Sequence, residues 1–292
     1  MAAAQSLKIA SLTLLALISF AANSVLCRLA LGTGAIDAAS FTVIRMISGI
    51  LVLWVIVLAR KRDANPMRAG SWRGAGCLFL YAIAFSYAYL LLETGTGALI
   101  LFGSVQLSML VVTLVSGVRL GVLEWGGLSI AVGGFAYLML PGAEAPSMGG
   151  FLLMATAGIA WAGYTLIGKG SKHPLQDTYA NFVRTAPMLL PLLVVMVVGR
   201  SISFEGILYA ALSGGLASGV GYALWYAALK GLSGLQAGVL QLLVPVIAAF
   251  GGVLIVAEPL SERLVIASLL ILGGILAVIM AGQRRATQKQ VS

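Results

Sequence analysis

Charge, Pro and Gly punctuate this chain into ten apolar stretches, at roughly 9–31, 39–59, 72–92, 96–117, 124–140, 149–168, 179–198, 206–229, 234–256 and 263–281. A helix needs about 20 apolar residues to cross a bilayer, so ten spans would use about 200 of the 292 residues. About 90 remain for short connections and termini. The first stretch, opening Ile9-Ala10-Ser11-Leu12, is long for the apolar part of a leader peptide and reads as a span. The pattern predicts an all-α polytopic membrane protein with ten transmembrane helices.

The two halves repeat one another in order and spacing. Phe20-Ala21-Ala22-Asn23-Ser24 lines up with Trp161-Ala162-Gly163-Tyr164-Thr165, and Arg28 then meets Lys169. Asp37 precedes Arg45 as Asp177 precedes Arg184, and Gly133-Gly134 corresponds to Gly273-Gly274. Each unit holds five spans, an odd number, so the second must lie inverted relative to the first. The expected architecture is two inverted five-helix repeats, 1–141 and 142–282, around a central cavity, with a polar basic tail over 283–292 that is expected to be disordered. Inverted repeats around a midplane site are a mark of carriers.

Composition narrows the class. Apolar types make up 60% of the chain and charged types 9%, against about 25% charged in a soluble domain. Soluble, disordered, collagen-like and disulfide-scaffold readings fail on this balance. The net charge of +9 reads as topology, because no basic run is interleaved with stacking aromatics as a nucleic-acid surface would be. With both termini cytoplasmic, the inner segments hold Lys8, Arg60, Lys61, Arg62, Arg68, Arg73, Arg119, Lys169, Lys172, Lys230, Arg284, Arg285 and Lys289. Only Arg28, Arg200 and Arg263 fall at the outer side. Cys27 and Cys77 then lie on opposite sides of the membrane and are expected to stay unpaired.

Leu240-Gln241-Leu242-Leu243-Val244-Pro245, followed by Val253 to Ser261 with its Glu258-Pro259-Leu260-Ser261 ending, resembles the second repeat of EamA-type carriers of the drug/metabolite transporter superfamily. The resemblance covers essentially the whole chain. Aromatics along spans three and six are most similar to the YddG-type aromatic amino-acid exporters of that superfamily. What this implies is efflux of amino acids across the inner membrane, with aromatic and other apolar side chains preferred. Export of drugs or other small metabolites is the alternative. In the first half Arg119 stands where Glu258 stands in the second, and Gln106 where Pro245 does, so roles needing both copies of those residues are not implied.

The candidate chemistry lies at mid-membrane depth. All nine acids fall at stretch ends or in loops: Asp37, Asp63, Glu93, Glu124, Glu144, Asp177, Glu205, Glu258 and Glu262. That argues against a deep carboxylate relay and against polycationic cargo. The midplane instead offers rings and amides: Phe20, Asn23 and Ser24 in span one, Tyr81, Phe85 and Tyr89 at i, i+4 and i+8 in span three, and Phe102 and Gln106 in span four. Trp161 and Tyr164 in span six, Tyr222 in span eight and Gln241 in span nine complete the expected binding set. Rings can sandwich a planar side chain while polar tips orient it.

Pro245 has no N–H for the Gln241 carbonyl, which is then free either to receive a substrate ammonium or to be satisfied at a plain kink by a neighbouring Ser or water, and Pro187 is expected to kink span seven and to be left with a free carbonyl by Pro191. Arg45 and Arg184 read as repeat mates that gate or hold a substrate carboxylate, against a plainer reading as snorkelling or helix-end residues. His173 stands alone in a loop, so no metal, cofactor or catalytic constellation is expected and the chain does not read as an enzyme. The expected partners are a small-molecule substrate (amino acids) and the lipid bilayer, without nucleic acid, the chain acting as a monomer.

Overall fold

A computed structural model describes residues 2–60, 65, 68–117, 119–142, 145–198, 202–232 and 234–291, with side chains apart from those of 2–4, 234–235 and 284–291. Lys61, Arg62 and Arg200, used above for orientation, and the acids Asp63 and Glu144 lie outside the described residues, as do the side chains of Arg284, Arg285 and Lys289.

The apolar stretches become helices where polar residues cap them. Asp37 accepts from the Ser40 N–H at 2.9 Å to start α2 (Ala38–Ala59), which follows α1 (Ala2–Gly32). Ser71 and Ser147 start α3 (Trp72–Ala88) and α6 (Met148–Gly168) in the same way. Between them run α4 (Thr94–Val115) and α5 (Val122–Leu138). The first half is thus five continuous rods.

The second half is broken. Span seven is α7 (Pro174–Arg184) and α8 (Leu190–Val198), joined by a 3₁₀ turn at Ala186–Leu189. There the Leu190 N–H bonds the Pro187 carbonyl, so the free carbonyl expected at Pro187 is taken up by the tighter i→i+3 pattern. Span eight is α9 (Phe204–Leu212) and α10 (Gly221–Ala228) with a wide π-type segment, Ser213–Val220, between them. Span nine is α11 (Gly234–Gln241) and α12 (Leu243–Gly251), interrupted at Leu242 and widening to π over Gly252–Val256. Helix α13 (Glu262–Val291) carries its backbone through the tail, which corrects the expected disorder beyond Gln283.

Among the described residues, eight helices are long and apolar enough to cross a membrane, and α5 is a shorter apolar one. Helix α3 has only 17 residues and ends at Ala88, short of the expected 92. The short helix is also the one that carries Tyr81, Phe85 and Ser86 on its buried face. No strand forms among the described residues; one antiparallel bridge, Ile36 to Ile202, ties the α1–α2 turn to the segment before α9. The chain is an all-α polytopic membrane protein.

Packing partnerships come in matched pairs. Helix α3 lies along α6, and α1 along α10; α4 meets α6, and α1 meets α12. Helix α5 packs on α13, α4 on α12, and α2 on α7 and α8. Small residues permit the closest of these approaches. A Cβ at Gly214 would collide with the Arg45 carbonyl oxygen, so only Gly lets the π segment rest on α2. At the α5–α13 contact a Cβ on Gly127 would sit 2.7 Å from the Gly274 carbonyl oxygen, whereas one on Gly126 would meet nothing within 4 Å. Overpacking of this kind costs about 1–3 kcal/mol. Gly127→Ala is therefore expected to lower the thermal midpoint of the detergent-solubilised protein by several degrees, with Gly126→Ala unchanged as its control.

Candidate functional site

Six helical segments converge on one narrow cavity of about 20 Å³, room for a single water. Helix α1 supplies Phe20 and Asn23, α3 supplies Tyr81 and Phe85, and α4 supplies Leu101 and Phe102. Trp161 comes from α6, Tyr222 from α10 and Gln241 from the end of α11. Eight of the twelve residues expected from sequence thus share one wall system, and Leu101 joins them.

The rings are interlocked. Trp161 stacks on Tyr222 at 5.4 Å with 20° between planes, on Tyr164 at 5.3 Å with 28°, and lies 4.9 Å from Tyr81. Phe20 sits 5.9 Å from Tyr222 and 5.8 Å from Trp225. Tyr81, Phe85 and Tyr89 form a ladder at 5.4 and 4.8 Å, the i, i+4 spacing seen in the sequence. Offset and edge contacts at these distances are the favoured aromatic arrangements.

The remaining expected residues lie elsewhere. Tyr164 donates to the Thr178 hydroxyl at 3.0 Å, and Thr178 also meets Tyr226 at 2.8 Å, so this phenol belongs to the packing of α6, α7 and α10. Tyr89 is buried, its phenol bonded to the Thr94 carbonyl at 3.3 Å, with Ser24 close by. Gln106 faces a different cavity of about 250 Å³ between α4, α5 and α13, together with Glu124 and Thr113.

Arg45 is only 2% exposed and does not snorkel. Its guanidinium lies 4.8 Å from the Phe85 ring centroid and 5.2 Å from that of Tyr81, and Nη2 donates to the Tyr81 hydroxyl at 3.0 Å. Arg184 takes the plainer path: its Nη1 donates to the Ala69 carbonyl, far along the chain from the ring cluster. With Asp177 accepting from the Gly70 N–H at 2.8 Å and Asn181 from the Ser71 N–H at 2.7 Å, it clamps α7 to the turn before α3.

Asn23 is oriented by groups that pattern reading did not find. Its Oδ1 accepts from Ser213 at 2.8 Å and Ser218 at 3.3 Å, both on the π segment of span eight. The widened backbone brings two hydroxyls to one amide oxygen, an effect with no local sequence signature beyond the Gly-rich run.

One end of the bundle carries an ion pair. Arg28 Nε donates to Glu258 Oε1 at 2.8 Å, Arg28 Nη1 to the Tyr89 carbonyl at 3.2 Å, and the Thr94 N–H to Glu258 Oε2 at 2.8 Å. The carboxylate is carried back over the bundle by Ala257, a non-Gly residue at φ 58°, with the Glu258 N–H bonded to the Gly252 carbonyl at 3.1 Å. This latch joins α1, the end of α3, the start of α4 and the end of span nine. The sequence placed Arg28 and Glu258 at the same end but offered no spacing that paired them.

Pro245 lies in the first turn of α12, where a missing N–H is tolerated, and the chain breaks one turn earlier at Leu242, beside Gln241. The matching segment of α4, with Gln106 in place of Pro, runs without a break.

Residues 148–280 match the model of the EamA-like transporter family. The Uncharacterized protein PA1977 of Pseudomonas aeruginosa is 49% identical over 278 residues, covering 95% of this chain and 96% of its own length. A solved crystal structure shares the fold with a TM-score of 0.60 at 20% identity, over 92% of this chain and 98% of that one. Membrane helices, a multi-helix cavity and these matches agree: the chain belongs to the EamA-like transporter family.

Proposed function

We propose that this transporter exports amino acids, preferring aromatic and other apolar side chains, by alternating access of two inverted five-helix units, 1–141 and 142–282. The stacking of Trp161 on Tyr222, at 5.4 Å and 20°, carries the reading. Two nearly parallel rings of the second unit, with Tyr81 and Phe20 of the first unit at their edges, offer a planar side chain the same contacts they give each other. The matched packing pairs support the inverted repeat, because α3 on α6 is mirrored by α10 on α1, and α4 on α6 by α12 on α1.

In this reading both termini face the cytoplasm in the inner membrane, and the Arg28–Glu258 end faces outward. The lysine and arginine bias supports that orientation. Gln241, beside the break that Pro245 imposes, supplies neutral oxygens for the substrate ammonium. Arg45 serves the carboxylate side, and Arg184 serves the gate at the cytoplasmic end through its hold on Ala69. Since the cavity admits about one water, cargo enters only when the rings part, which is the closed phase of such a cycle.

Proteoliposomes preloaded with unlabelled amino acids and supplied with labelled tryptophan or methionine test the reading. Counterflow above that of empty vesicles supports it; no flux for any amino acid overturns it. Failure of excess amino acids to compete with a transported drug or metabolite assigns the chain to the alternative cargo.

A further inference from the structure

The polar groups at the ring cavity are unevenly matched to a zwitterion. Arg45 brings a permanent positive charge into the bundle interior, with Nη1 buried and without a hydrogen-bond partner. The titratable side chains acting on it are Tyr81, Tyr222 and Cys27, two phenols and a thiol; no carboxylate among the described residues pairs with it. Burying an ion unpaired costs several kcal/mol, and more so within a bilayer. Two rings, at 4.8 and 5.2 Å, and one phenol oxygen offset only part of that cost.

On the other side of the account, the cavity holds no anion to meet an ammonium. Its lining is aromatic and aliphatic apart from Asn23, Gln241 and the two phenols. Asn23 Oδ1 is already occupied by Ser213 and Ser218, which leaves its amide N–H groups as the free function. A neutral acceptor gives an ammonium a modest hydrogen bond, whereas a guanidinium gives a carboxylate a charged, bidentate one. Tyr81 and Phe85, the rings that cover Arg45, also wall the cavity, so the parting of the rings that admits cargo is the same motion that uncovers the guanidinium.

We infer that the carboxylate is the required charged group of the cargo and the ammonium is dispensable, so that aryl monocarboxylates lacking an amino group are also substrates of this site. The inference rests on the reading that the ring cavity is the cargo site, and extends it to a second class of compound.

Calorimetric titration of the purified full-length protein in detergent tests it with four matched ligands: phenylalanine, 3-phenylpropanoate, phenethylamine and 3-phenylpropan-1-ol. The expected result is that 3-phenylpropanoate binds within about tenfold of phenylalanine, and the amine and alcohol at least about tenfold more weakly than the acid. Arg45→Gln should then erase the preference of acid over alcohol, and Arg45→Lys restore part of it. Phenylalanine binding without 3-phenylpropanoate binding, or the amine binding as well as the acid, overturns the inference while leaving the amino-acid reading in place. The acid binding without phenylalanine overturns that reading and upholds the inference. The wild-type series decides the matter even if Arg45 variants do not fold.

Discussion

Glu258→Gln should open one end of the bundle, and Cys27 should report it. The thiol is fully buried, one residue before Arg28, at the end of α1 that the ion pair closes. A glutamine keeps the shape and can still accept from the Thr94 N–H, but it presents a neutral group to the guanidinium. Charged hydrogen bonds contribute about 1.5–3 kcal/mol each, and 1.4 kcal/mol is tenfold in a population. In a Cys77→Ser background, a membrane-impermeant maleimide added from the Arg28 side is expected to modify Cys27 at least about tenfold faster in Glu258→Gln than in the parent. Transport should fall together with that gain. Combining Arg28→Glu with Glu258→Arg should restore slow labelling and part of the flux. Labelling unchanged in Glu258→Gln would show that the pair does not hold the end shut.

The latch has no mirror image. Under the proposed repeat its mates are Lys169 and Arg119, two cations that cannot pair. The other end is instead held by α7, through Asp177 on Gly70, Asn181 on Ser71 and Arg184 on Ala69. These contacts rest on backbone groups, one of them in a Gly at φ 67°. A charge pair closes one end and a backbone clamp the other, so ionic strength and substitutions should act differently on the two.

How much of this was legible follows from what each feature depends on. Helix class depends on hydropathy, which is local, and the stretches read from sequence all became helical; of the ten expected spans, eight are long and apolar enough to cross a membrane among the described residues, α5 is shorter, and α3 falls outside both groups. The ring cavity was legible because i, i+4 spacing puts Tyr81, Phe85 and Tyr89 near one face. The same logic overreached at Tyr89 and Tyr164, whose rings continue the stacks while their hydroxyls are taken by Thr94 and Thr178. Gln106 lies one helical turn beyond Phe102, yet the neighbouring helices there are α5 and α13, and it meets a different cavity. Pairings across long separations left no trace in the pattern: Arg28 with Glu258, Asn23 with Ser213, Arg45 with the rings. The breaks in spans seven and nine followed the prolines, whereas span eight has no proline and its π segment coincides with the close seat of Gly214 on α2.

Trp161→Ala should remove transport more completely than any other single truncation in the cavity. Trp161 is the ring that touches the others from both sides, with Tyr81, Tyr164 and Tyr222 all within 5.4 Å. Each aromatic pair contributes about 0.5–1.5 kcal/mol beyond area burial, so three are lost together, along with one face of any ring bound there. Flux of an aromatic amino acid is expected to drop at least about tenfold, the equivalent of 1.4 kcal/mol of lost binding. Trp161→Phe keeps a stacking face against Tyr222 and should retain most of the flux, with weaker affinity. Thermal midpoints in detergent separate the two causes: truncating a fully buried Trp costs about 3–5 kcal/mol in soluble cores, and the loss of the partly buried Trp161 as packing would appear as a smaller but clear drop in midpoint. If the alanine protein keeps a near-parental midpoint and loses flux, the ring is a binding surface. If it keeps flux while the midpoint falls, cargo passes elsewhere and the ring cluster is packing.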